Sequence, residues 1–281
     1  MNVSEIIRKL AGVITLADII CVTGLPLFAC WLLRTSLGRN ALADSTPRRN
    51  NMSLYLPFIP LFIWFGAVVL ATSISKEFLP DLPDWQAARL DHALLCTGGV
   101  AVIVVMILLV RTHFARRLKG LGLNPKTIHK DFFAGFVNLL SVWPLVMAMI
   151  ILTTHLGKLT SGQDFQIQQH EELKTIAAHP QLSVKVLIII TTVVVAPVVE
   201  EMLFRGLFQS MIRGLADRAW TAIILTSVLF ALLHPWTHWP ALFVLSICLG
   251  YAYEKSGSLF RPIFIHSIFN AASVISVLRG V

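Results

Sequence analysis

The chain has 281 residues, 56% hydrophobic and 14% charged, with a mean hydropathy of +0.75 and a formal net charge of +8. A soluble domain of this size carries about a quarter charged residues, so a water-soluble globular protein is excluded. The positive balance does not mark a nucleic-acid binder, because lysines and arginines gather in alternate loops between apolar blocks and form no basic stripe. The chain is read as an all-α polytopic membrane protein.

Eight apolar segments follow in order, at 11–33, 54–74, 92–110, 133–154, 184–212, 219–234, 239–254 and 262–278. Most approach the roughly 17–25 residues of a bilayer span. The first is expected to be a retained helix, since no polar mature domain follows it. The fifth is longer than a bilayer needs and is expected to bend into the interface. The last three are short and tightly connected, which implies a compact bundle. Cys21, Cys30, Cys96 and Cys248 lie in apolar segments without CxxC spacing, as buried free thiols do.

Alternate loops differ in charge. Those around 34–49, 111–130, 213–218 and 255–261 hold 14 Lys and Arg; the opposite set holds 7, including Arg8 and Lys9. The bias predicts basic loops in the cytoplasm and both termini outside. Residues 111–132 include RTHFARRLKGLGL, expected as a short amphipathic helix on anionic headgroups. Residues 155–183 are polar and expected outside. No repeat or second domain is visible.

Chemistry concentrates in the last third. VVVAPVVEEMLFRGLFQ places Glu200, Glu201 and Arg205 within an apolar run, and intramembrane ionisable groups mark functional sites by default. Residues four apart share a helix face. Glu201 and Arg205 can therefore pair, while Glu200 points about 100° away, the step of one residue in a helix of 3.6 per turn. That leaves Glu200 as a buried carboxylate suited to general-base work. Pro197 cannot donate to the carbonyl of Val193, so the helix is expected to kink or open beside it.

Two more unusual insertions follow, on the sixth and eighth apolar segments: Phe230 and His234 in FALLH, and His266 and Asn270 in HSIFN. An imidazole and an amide on one face can donate to a developing oxyanion. A structural ion pair would also explain Glu201 with Arg205, and helix–helix hydrogen bonding would explain the histidines. A proton relay in a transporter is a further reading of the same residues. Idealised helices place His234 and His266 at different depths, so a shared site requires a tilted or short sixth helix.

The ordered set EEMLFR, FALLH and HSIFN, with the run LGYAYEKSGSLFRPIFIH before the last motif, resembles the CPBP intramembrane proteases. That family includes type II CAAX prenyl endopeptidases and Abi-like proteins linked to bacteriocin immunity. The resemblance implies one integral membrane domain, 1–281, with peripheral helices and loops at 1–183 and a catalytic core of four helices at 184–278. It implies an endopeptidase acting on a membrane-associated peptide or protein, prenylated CAAX-type substrates among them, in a prokaryotic cell membrane. In that scheme Glu200 with His234 activates water, and His266 with Asn270 stabilises the oxyanion. Glu201, Arg205 and Phe230 support them. No cofactor is required; were zinc bound, Glu200, His234 and His266 would be its ligands. The alternative within the resemblance is an immunity or scaffold protein with little proteolytic activity.

Overall fold

The computed structural model describes residues 16–279; the predicted start of the first segment at 11–15, with Arg8 and Lys9, lies outside them. Nine helices carry the fold: α1 Leu16–Arg34, α2 Phe58–Phe78, α3 Asp84–His113, α4 Pro125–Ser161, α5 Glu171–Ala178, α6 Leu182–Ala216, α7 Ala219–Leu232, α8 Trp239–Ser256 and α9 Phe260–Arg279. No strand occurs among the described residues beyond an isolated bridge between Asn50 and Phe114. Within the described residues, each of the eight apolar segments falls mainly on a helix, and α5 is an extra one inside the polar loop. Among the described residues, α2, α3, α4, α6 and α9 are long and apolar enough to cross a membrane, whereas the apolar α7 has 14 residues.

The helices bury their polar side and expose their greasy side. On α7, Ile224, Leu225, Val228, Leu229 and Leu232 are exposed while Thr226 and Ser227 are almost fully buried. In water such a face would be an aggregation site; against lipid it costs nothing, and the inward hydroxyls bond within the protein. The chain is an integral, multi-pass membrane protein.

Two polar ladders join α6 to α8. Arg205 Nη2 donates to Ser246 Oγ at 2.7 Å, and Gln209 Nε2 donates to the Gly250 carbonyl at 3.1 Å and to Glu254 Oε1 at 3.0 Å. The steps of four match on both helices, so the side chains register as rungs. A Cβ on Gly250 would lie 2.8 Å from Gln209 Oε1, so the bare glycine lets the amide reach the backbone.

The basic loops meet at one end of the bundle. Arg48 lies 3.4 Å above the Tyr253 ring and 3.7 Å from Glu254, Arg213 donates to the Ser45 carbonyl, and the Leu259 amide donates to the Gly122 carbonyl. Of the expected 111–132 loop, residues 111–113 end α3 and 125–132 begin α4, and the stretch between them forms a one-turn helix, Arg117–Leu121, which Gly122 closes in the left-handed conformation at φ +99°. At the other end, α5 and the 162–170 segment pack beside the turn after α7.

Candidate active site

α6 positions the carboxylates, and its backbone is not a plain α-helix. Ile190–Val195 and Met202–Gln209 are π-helical, so α6 is opened on both sides of Glu200 and Glu201. The first opening has a visible cause. The Ala196 N–H donates to Thr191 in place of Thr192, and the next residue, Pro197, has no N–H to offer. The Thr192 carbonyl is left without a helical partner, and Asn270 Nδ2 of α9 donates to it at 2.8 Å. The disturbance expected at Val193 thus appears as a lost α-helical partner one residue earlier. The irregular backbone lies against a cavity within the protein.

Glu201 is the hub of the buried polar network. It is fully buried, and its Oε1 accepts from Arg205 Nη1 and from His266 Nδ1, both at 2.8 Å. Arg205, also fully buried, reaches Ser246 on α8 and stacks its guanidinium 4.7 Å from the Phe230 ring centre. Because Glu201 takes the Nδ1 proton of His266, the other ring nitrogen, Nε2, faces Glu200 Oε2 at 3.9 Å. Phe230 is a wall between these groups, with ring centres 4.8 Å from His234 and 5.8 Å from His266.

Glu200 is placed differently. It lies one residue from Glu201 and turns into a cavity of about 210 Å³ that His234, His266, Asn270, Phe230 and Thr192 also line. Its Oε2 is buried without a hydrogen-bond partner. His234 gives its Nδ1 proton to the Phe230 carbonyl at 2.8 Å, which leaves Nε2 as a lone-pair acceptor when the ring is neutral. His234 and His266 share this cavity because α7 is short: 14 residues rise only about 21 Å.

Three lining residues, His170, Glu172 and Leu173, come from α5 and its start, which sequence reading left as polar loop. His170 sits 4.4 Å from the His238 ring and 6.5 Å from the His234 ring, measured between centres. Burial, then the neighbouring His238, pushes the His170 imidazole down to about 4. His238 is also held below its usual range by burial, against the hydrogen bond its Nε2 donates to the Gln168 carbonyl at 2.6 Å. The signal in the sequence was faint: Leu173 and Ile176 make an apolar step of three within an otherwise polar stretch.

Among the described residues no three His, Cys, Asp or Glu side chains stand together closely enough to hold a metal ion. Glu200, His234 and His266 line one cavity, and the Nδ1 of each histidine donates to a protein acceptor, which leaves Nε2 as the ring nitrogen available to a ligand.

The segment carrying all of these motif residues matches one family model. Residues 182–272, from the start of α6 into α9, match the family described as type II CAAX prenyl endopeptidase Rce1-like. This segment, about a third of the chain, is similar to that family, in keeping with the CPBP resemblance of its motifs. Neither the search of curated proteins nor that of solved structures found a match. The matched family is a protease family, which supports a hydrolase reading of this membrane-embedded chain.

Proposed function

We propose that the chain is an intramembrane endopeptidase that hydrolyses a peptide bond in a membrane-associated peptide or protein. The observation that carries this reading is the unpartnered, buried Oε2 of Glu200 in a cavity shared with two histidines of fixed ring orientation. Glu200, with His234 Nε2 beside it, takes a proton from water as the oxygen attacks the scissile carbonyl carbon. The carbonyl oxygen becomes an oxyanion. His266 Nε2–H and the second amide proton of Asn270 donate to it. The Glu201 carboxylate supports the imidazolium this requires, and Arg205 holds Glu201 in place. Collapse of the tetrahedral species breaks the C–N bond, and the proton held by Glu200 passes to the leaving amine.

The reading needs no step through a metal. Substrates with a prenylated C-terminal CAAX sequence are the family's precedent, and a prokaryotic cell membrane is the proposed setting.

The test compares new protein termini in membranes from cells producing wild type or Glu200→Gln at matched levels. Loss of general-base catalysis should lower cleavage by about 10²–10⁴-fold, with the variant as thermally stable in detergent as wild type. Undiminished cleavage by a folded Glu200→Gln protein would overturn the proposal, and identical termini profiles from both would move the assignment to an immunity or scaffold role.

A further inference from the structure

At the basic end of the bundle, a second cavity of about 290 Å³ lies between two loops. Arg116, Lys119, Asn124, Thr127, Ser256 and Ser258 line it. Two left-handed turns form its floor: Gly122 at φ +99° and Gly257 at φ +69°. They touch so closely that a Cβ on Gly122 would lie 2.6 Å from the Gly257 carbonyl oxygen. The Leu259 amide and the Ser258 hydroxyl both donate to the Gly122 carbonyl, so the two loops are fastened together.

The hydrogen-bonding inventory decides what this cavity can accept. The hydroxyl protons are spent: Thr127 donates to Asn124, Ser256 to Ala252 and Ser258 to Gly122. The Asn124 side-chain oxygen accepts from the Lys126 amide, which leaves its NH₂ free. Among the described residues, Arg116 and Lys119 make no ion pair, and no carboxylate lines the space. The unspent groups are therefore two cations and an amide donor, and all three seek an acceptor. Three other basic residues of this end are paired, Arg48 with Glu254, Arg213 with Asp217 and Arg261 with Asp131.

We infer that this cavity binds a phosphate ester, with Arg116, Lys119 and the Asn124 amide as its donors. Planar guanidinium and point-charge ammonium together suit a tetrahedral oxyanion. The loops join the ends of α3, α4, α8 and α9, the level at which headgroups of anionic phospholipids stand. The same donors would take a phospholipid headgroup or free phosphate. The site is independent of the proteolytic reading.

The experiment is native mass spectrometry of the full chain, purified in detergent and supplemented with mixed micelles of phosphatidylcholine and phosphatidylglycerol. Wild type should retain one phosphatidylglycerol in preference to phosphatidylcholine. Arg116→Gln with Lys119→Gln should bind it roughly 30-fold more weakly, about fivefold for each cation. Lys126→Gln with Lys130→Gln, at the start of α4 but outside the cavity lining, should bind as wild type. Asn124→Asp, which puts a carboxylate among the donors, should expel the lipid without touching either cation, and serves if the double variant fails to fold. Displacement of the lipid by millimolar inorganic phosphate would identify phosphate itself as sufficient; persistence would identify the headgroup in its bilayer. Equal retention of the two lipids, or equal loss in the Lys126/Lys130 control, would overturn the inference.

Discussion

Two adjacent glutamates occupy opposite electrostatic situations, and one residue step on a helix makes the difference. Glu201 faces Arg205 and His266 in a fully buried cluster, and Glu200 faces the cavity. Burying an ion is costly unless its partner stays in place. Arg205→Ala should therefore cost about 3–5 kcal/mol, read as unfolding in detergent, because it strands the Glu201 charge. The double variant Arg205→Met with Glu201→Gln should recover most of that loss, since no charge then remains unpaired. If the single and double variants unfold alike, the pair is not what holds α6 against α8 and α9. The Glu201–Arg205 pair is legible from spacing alone; Ser246, 41 residues on from Arg205, is not.

At the scale of elements, α5 is a short amphipathic piece laid across the mouth of the cavity. Its seat depends on His170 remaining neutral against His238 and His234. The folded value is about 4, below the ordinary 6.5. The unfolded or undocked segment therefore binds a proton first as pH falls. The contribution of this contact is intact above about 6.5 and is lost as pH drops from there towards 4. Hydrogen exchange over residues 168–178 should accelerate between pH 7 and pH 5 in wild type. In His170→Gln that acceleration should be much smaller; an equal acceleration in both would refute the role of His170. Glu172, which favours the charged ring, and the weakly basic His238 act on the same equilibrium.

For the whole molecule, the basic loops lie at one end and α5, with the cavity lining it supplies, at the other. Combined with the positive-inside bias, this puts the α5 side outside the cytoplasm. In a chain with its native cysteines replaced, a cysteine at Gln166 should react with a membrane-impermeant maleimide on intact cells. One at Lys126 should react only after permeabilisation. The reverse pattern would invert the orientation and the side from which substrate arrives.

The sequence by itself determined the class of molecule and the addresses of its chemistry. Apolar blocks report the free energy of leaving water for lipid, a property each segment carries alone, and the steps of four in EEMLFR, FALLH and HSIFN report one helix face each. The tertiary structure decided which carboxylate pairs and which stays open, how a 14-residue α7 brings His234 level with His266, and that Asn270 serves the carbonyl freed near Pro197. It also recruited His170 and Glu172 from a segment that reads as polar loop. Those outcomes rest on contacts between residues dozens of positions apart, where helix packing and the satisfaction of buried polar groups outweigh local pattern.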